Sequence, residues 1–468
     1  MIPPAVVTGA KVSVLSQERG VTYNAVTNES GNYFITQLSV GGYKVEFEAP
    51  GFQRLIQSDV RVALGTSTRV DAQLSVGQVT EQVNVTGAAP PLVTDRAEVS
   101  TALTTKEVRD LPTLNRNITS LQLLIPGSQR VLGQHASSEN PQGGIQINNN
   151  GQTFGSTNFM IDGTDNNDPV LGIVIVNPSI DSVKEIKYTG GNFDASSLKP
   201  GVGDQVETKS GTNELHGSLF HFLQNNVMNA RNPFSEPFGP PPLKWNQFGG
   251  SLGGPVLKNT LFVFGDYQGT RRRTGASVLT TVPTAAVRNG DFSAFAEPIF
   301  DPLSGNADGR GRSQFAGNRI PADRISSQAR ALINLLPLPN AGAPGAINNN
   351  FTAQDTDRYD ADQFDVRVDH HVNNSFRYFS RYSFADFRRV APAAFGRDVG
   401  GPGLSGLLFS GQAPARNQNA VGGFNYVLNP TLLTDVRFGY TKYKVNVLPL
   451  DFGRNTAQEA GIPNVNLP

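Results

Sequence analysis

Apolar and polar positions alternate with period two through much of the second half of the chain, the signature of strands whose two faces meet different surroundings. In residues 362–371, Phe364, Val366 and Val368 alternate with Asp365, Arg367 and Asp369. In 375–386 one face reads Phe376, Tyr378, Ser380, Tyr382, Phe384 and the other begins Arg377, Phe379, Arg381, while 432–442 sets Leu432, Val436, Phe438 and Tyr440 against Asp435 and Arg437. The pattern after Glu214 predicts strands over 214–224, 244–254, 260–270, 362–371, 375–386, 418–428 and 432–444. Each is close to the roughly 9 to 11 tilted residues that cross a bilayer as β-structure. Their connectors alternate in length: 254–259, 372–374 and 429–431 are short, whereas 225–243, 271–361 and 387–417 are long. A soluble antiparallel sheet with one wet face makes the same alternation. Short turns on one side and long loops on the other are what outer-membrane barrels show, and they favour the membrane.

The first 76 residues carry strand patterns at 11–15, 22–27, 32–36, 43–49, 60–62 and 68–74, separated by Ser30-Gly31, Gly41-Gly42 and Pro50-Gly51, the turn chemistry of a small β-sandwich. Residues 77–212 are mixed. Amphipathic helical stretches are predicted at 105–111 and 117–124, the second closed by Pro126-Gly127, and strands at 144–148, 158–162, 183–188 and 203–209, which makes a small α+β unit.

The run from Thr27 through Asn32-Tyr33-Phe34, with Gly41-Gly42-Tyr43-Lys44-Val45 and Ala49-Pro50-Gly51-Phe52, resembles the carboxypeptidase regulatory-like domain, which implies a non-catalytic, prealbumin-like β-sandwich whose first strand is missing here. Leu123-Leu124-Ile125-Pro126-Gly127, then Asn158-Phe159-Met160-Ile161-Asp162-Gly163, then the run from Ser179 to Lys187, then the run from Asp204 to Ser218 resemble the plug of TonB-dependent outer-membrane receptors of the Oar-like group. Asn246-Gln247-Phe248-Gly249-Gly250 and Phe262-Val263-Phe264-Gly265-Asp266-Tyr267 extend that likeness into the barrel. The fold expected is therefore mainly β: a prealbumin-like β-sandwich at 1–76, a linker at 77–95, a small α+β plug domain at 96–212, and from 213–468 the first strands of a transmembrane antiparallel β-barrel, incomplete because barrels of such transporters have about 22 strands.

The resemblance implies energised uptake of an unknown external ligand through a plugged barrel, with the TonB energy-transducing complex and outer-membrane lipid as partners, the cell outer membrane as location and a periplasmic sandwich. Gln82, Val83, Asn84, Val85 and Thr86, within the segment from Thr80 to Gly87, have the look of a TonB box, which works by strand addition and needs accessible backbone more than side-chain identity; a linker strand or the last strand of the sandwich is the other reading of this segment. The inward polar residues Arg367, Arg377, Arg381 and Arg437 line the lumen in this reading, either to anchor the plug or to touch cargo. The rival class is an exported β-rich adhesion or glycan-binding protein without transport.

Composition narrows the rest. Lys+Arg 39 balances Asp+Glu 39, so no global field recruits nucleic acid. The chain has no cysteine, which excludes disulfides, thiolate metal sites and a cysteine nucleophile. The longest apolar run, 170–176, is far too short for a membrane helix. The opening Met-Ile-Pro-Pro-Ala-Val-Val lacks a secretory signal, and the expectation is a piece of a longer protein, its signal peptide and its remaining strands lying outside this sequence. No enzyme motif occurs, and no cofactor, metal or catalytic residue is expected. Residues 203–210 imitate a phosphate loop, but Thr208 stands where a second glycine must let the backbone wrap the phosphate. His370 and His371 are adjacent on a strand and face opposite sides. Asp162, Asp165 and Asp168 with Asn166 and Asn167 offer oxygens, yet their spacing misses the calcium loop and reads as an Asx-rich turn.

Overall fold

The computed structural model describes residues 6–36, 38–77, 82–86, 99–113, 116–131, 143–191, 199, 201–230, 242–404, 410–429 and 432–463. They form a mainly β architecture with two five-stranded sheets, a seven-stranded sheet and a two-stranded ribbon.

The first sheet contains β1 (Lys11–Ser16), β2 (Thr22–Val26), β3 (Gly41–Glu48), β4 (Arg54–Val62) and β5 (Gln82–Thr86) in the order β2-β1-β3-β4-β5. All neighbours are antiparallel except β4 and β5, which run parallel. One face buries Val12, Val14, Tyr43, Val45 and Phe47, as the alternation in β1 and β3 dictates. The stretches 32–36 and 68–74, expected as strands, join no ladder. Their apolar residues Tyr33, Ile35, Val70 and Leu74 instead pack on that face, and the Tyr33 hydroxyl donates to the Val70 carbonyl at 3.0 Å. Period two there records the side the segment buries, which a ladder-free extended chain shares with a strand.

The second sheet takes β6 (Val99–Thr104), β9 (Asn158–Ile161), β10 (Thr164–Asp165), β11 (Val183–Gly191) and β12 (Gly203–Thr208) in the order β10-β9-β12-β11-β6, while β7 (Ser128–Arg130) and β8 (Ile147–Asn149) form the ribbon. Only the β9 and β12 pair is parallel. Helix α1 (Thr105–Asp110) starts at a capping box of Thr104 and Glu107, two otherwise orphaned donors satisfied reciprocally. The second expected helix is a 3₁₀ segment, Ile118–Leu124, begun by the Asn117 side chain accepting from the Thr119 amide. Val108, Ile161, Val183, Ile186 and Val202 close the core of this central unit. The imitation phosphate loop is largely strand β12.

The third sheet is an antiparallel meander of β13 (His216–Asn225), β14 (Leu243–Leu257), β15 (Leu261–Thr280), β16 (Phe351–His371), β17 (Phe376–Ala391), β18 (Gly411–Asn429) and β19 (Leu432–Val445). Strands β15, β16, β17 and β18 run well beyond the expected segments toward the long connections. The extensions alternate charge instead of apolar residues: Arg271 meets Asp362, Arg273 meets Asp360 and Arg389 meets Asp357. A pattern search tuned to hydrophobicity stops where the ladder does not. The long connection between β15 and β16 is itself ordered, with helices α2 (Ala285–Arg288) and α3 (Ser327–Leu335) and the Arg288 guanidinium bonded to the carbonyls of Ile333 and Pro337.

The short-turn end of the third sheet meets the first sheet's unit. Tyr23 packs on His371 with ring centroids 5.8 Å apart, and Asn213 donates to the Arg19 carbonyl at 2.6 Å. Arg61 of β4 pairs with Glu185 of the central unit at 2.6 Å, and the Leu64 amide donates to the same carboxylate at 2.7 Å.

Candidate functional site

Strand β9 ends in a tight turn, Asp162-Gly163, before β10 reverses against it. Asp162 has φ 48° and Gly163 φ 77°, left-handed conformations that aspartate tolerates and glycine favours. Parallel pairing with β12 brings the Asp162 amide onto the Val206 carbonyl at 2.9 Å, which lays the carboxylate beside Thr208. The Thr208 amide donates to Oδ1 at 2.9 Å and its hydroxyl to Oδ2 at 2.9 Å.

Three arginines of the third sheet converge on this turn. Arg367 of β16 donates from Nη1 to Asp162 Oδ1 at 3.0 Å, and Arg381 of β17 donates from Nε to Oδ2 at 2.5 Å. Arg437 of β19 reaches the Asp162 carbonyl at 3.2 Å; a Cβ on Gly163 would collide with its guanidinium, so the turn must be glycine for Arg437 to approach. One strand position away, a Cβ on Gly439 would sit 2.8 Å from Thr164 Cβ, so small residues let β10 lie against the wall of the sheet.

The cluster is dry: the side chains of Asp162, Arg367 and Arg381 are 1%, 6% and 0% exposed. Buried charge is tolerated only when paired and hydrogen-bonded, and here the pairing is dense. Arg367 also contacts Glu207 Oε1 at 3.1 Å and Asp369 Oδ2 at 3.0 Å, and Arg381 bonds Ser383 and Asn419. Burial pushes the Asp162 carboxyl up, but the Arg367 and Arg381 guanidiniums and the Thr208 donors outweigh it and hold it below the ordinary carboxylate value. Glu207, with a single arginine hydrogen bond, goes the other way, raised by burial against the pull of Arg367.

Of the four arginines singled out in the sequence, the structure brings Arg367, Arg381 and Arg437 together. Arg377 lies elsewhere: its Nε donates to Asn425 at 2.9 Å, its Nη2 to the Thr36 carbonyl at 3.4 Å, and its guanidinium sits 5.4 Å from the Tyr23 ring. Its partners are thus at the short-turn rim. The residue that organises the other three, Asp162, carried no anchoring signal in the sequence beyond its place in an Asp-Gly turn after a strand. The neighbouring Asx residues are consumed locally. Asn166 holds the Val176 backbone from both ends of its amide, and Asp168 accepts from the Val170 amide. A second contact between the units places the Arg116 guanidinium 4.4 Å and 4.7 Å from the rings of Phe220 and Phe222 on β13, an attraction of cation to π-face. In the segment from Thr80 to Gly87, the backbone of Gln82–Thr86 is β5, parallel to β4; Thr80, Glu81 and Gly87 lie outside the described residues, as does most of the 77–95 linker.

Nothing in this arrangement activates a nucleophile or positions an acid with a base. It is a multi-point electrostatic seat between two units. The family model of the carboxypeptidase regulatory-like domain matches residues 4–75. The TonB-dependent transporter Oar of Myxococcus xanthus is 28% identical over 258 residues, 52% of this chain and 23% of that protein, so the chain spans about a quarter of its relative's length. Among solved structures, the ferric enterobactin receptor PfeA of Pseudomonas aeruginosa (12% identity, TM-score 0.41, 74% of this chain and 41% of that one) and the outer membrane transporter YddB of Escherichia coli (10%, 0.44, 73% and 38%) are similar. The family model of the outer membrane beta barrel domain matches residues 207–468, and the chain belongs to that outer-membrane family.

Proposed function

We propose that this chain is part of a TonB-dependent outer-membrane transporter in which residues 96–212 are a plug, residues 213–468 are barrel wall, and residues 1–76 are a periplasmic β-sandwich joined through 77–95. The observation that carries the reading is the seat of Asp162 between Arg367, Arg381 and Arg437. An aspartate on one folded unit, its carboxylate held by two strands of the meander and its carbonyl by a third, is what a lumen needs in order to keep a separate domain in place and still release it under load. Uptake then requires that the seat be broken and remade, with energy delivered from the inner membrane. The ligand binds outside, against long connections and plug, and no bond of it is cleaved.

Gln82, Val83, Asn84, Val85 and Thr86 form the TonB box in this reading. As the last strand in the order β2-β1-β3-β4-β5, β5 has one backbone edge free among the described residues, the geometry that strand addition requires. The test uses the whole protein in its own membrane. A cysteine at Val83 or Val85 should cross-link oxidatively to a cysteine-bearing TonB periplasmic domain, and Asn84→Pro, which removes a ladder donor, should abolish the product. Cross-linking indifferent to the proline would sink this assignment.

A further inference from the structure

The outward face of the seven-stranded sheet changes character across two rows of the ladder. Register aligns Tyr267, Phe364 and Phe384, a row that continues to Gln418 and Lys442; one step toward the long connections, it aligns Asp362, Asp386, Arg416 and Lys444. From Asp362 to Val372 at the short turn is roughly ten residues, about 33 Å of strand, or about 25 Å of height at a tilt near 40°, the height of the apolar band of outer-membrane barrels. On the membrane reading proposed above, the charged row lies at the level of the outer headgroups.

The two halves of this rim are built differently. On β15 and β16 the charges neutralise one another: Arg271 bonds both oxygens of Asp362 at 2.9 Å, and Arg273 pairs with Asp360 at 2.8 Å. On β17 to β19 they do not. Phe387, Ala415 and Tyr443 pack inward, so alternation turns Arg388, Arg416, Lys442 and Lys444 outward. Only Arg416 has a carboxylate partner among the described residues, Asp386 at 2.7 Å, leaving four cations against one anion. Lys444 stands directly opposite Arg416 in the ladder, and like charges so placed destabilise a sheet. The Arg416 guanidinium also lies 5.5 Å from the Phe384 ring, anchored at the top of the apolar band.

We propose that Arg388, Arg416, Lys442 and Lys444 form a binding surface for the phosphate groups of an outer-leaflet lipid. An anion held there offsets the repulsion between Arg416 and Lys444, and the position at the band's edge selects a phosphate carried on acyl chains over one free in solution. The test is native mass spectrometry of the whole protein from neutral detergent, with diphosphoryl lipid A and its dephosphorylated form as probes. The diphosphoryl lipid should be retained and the dephosphorylated one lost. Lys442→Gln with Lys444→Gln should weaken retention about 30-fold, from about 1 kcal/mol for each cation near a charged surface, whereas Arg271→Gln with Asp362→Asn, on the neutralised half, should not. Equal retention of both lipids, or displacement of the diphosphoryl lipid by excess inorganic phosphate, overturns the proposal. Should the double variant fold poorly, raising the salt concentration must release lipid from the native protein, because exposed charges are screened; insensitivity to salt overturns it too. A protein that stays monomeric without any detergent refutes the membrane reading itself, a separate result.

Discussion

Arg381 Nε and Asp162 Oδ2 meet at 2.5 Å across 219 positions of sequence, each side chain almost wholly withdrawn from water. Removing one partner of such a pair strands the other, at a cost of about 3 to 5 kcal/mol. Asp162→Ala leaves both Arg367 and Arg381 without this carboxylate and should lower the urea midpoint of the central unit and expose it to protease. Replacing all three by apolar residues of similar volume, Asp162→Leu with Arg367→Met and Arg381→Met, should not restore that stability, because it leaves Glu207, Asp369 and Asp365 without these arginines. Unchanged protease resistance in Asp162→Ala would show that the seat contributes nothing to docking.

Asp204 gives a pH dependence of known sign. It is buried on β12, its Oδ1 has no hydrogen-bond partner, and burial raises its carboxyl to about 7. Its folded value lies above the unfolded one, so its contribution is greatest below about pH 4 and is lost as pH rises toward 7, by on the order of 4 kcal/mol. The stability of the native protein relative to Asp204→Asn should therefore fall from pH 4 to pH 7 and level off above. A difference that is flat across this window refutes the assignment.

Glu185 and Arg61 form an asymmetric pair. The Glu185 side chain is 1% exposed and the Arg61 side chain 53%, so water replaces the carboxylate for Arg61 but not the reverse. Arg61→Ala should cost about 3 to 5 kcal/mol, because it strands the buried Glu185 carboxylate. Glu185→Ala should cost less, about 1 to 3 kcal/mol, because Arg61 returns to water and only the Leu64 amide loses its acceptor. Equal midpoints for the two variants in a denaturant titration would count against the clamp.

Depth in the membrane is testable on one strand. Val366 faces outward midway between the charged row and the short turn, whereas Gln354, on the same face, lies beyond that row. Val366→Arg should cost about 2 to 4 kcal/mol in lipid and Gln354→Arg close to nothing, measured by unfolding in vesicles. Similar costs at both sites would refute a lipid-facing band.

The strands were legible because their faces differ: Phe364, Val366 and Val368 against Asp365, Arg367 and Asp369 need no partner to be read. The tops of β15 and β16 were not, since Arg271, Arg273 and Asp360 look like loop until the ladder pairs them. Residues 32–36 show the converse, a two-residue period without a ladder, because burial of one side suffices to produce it. The four arginines were legible as the polar side of strands. That Arg367, Arg381 and Arg437 share Asp162 while Arg377 turns to Tyr23 and Thr36 was not, because no local pattern records which distant segment lies opposite.

The sequence by itself determined the mainly β character, the meander, and which side chains of each strand face together, since these follow from the geometry of an extended backbone over a few residues. Only the tertiary structure decided that an aspartate in an ordinary-looking turn is the counter-ion of two strands and meets a third through its carbonyl. Charge interaction acts through space and is strengthened by burial, and both the distance and the dryness arise only when separate units close on one another.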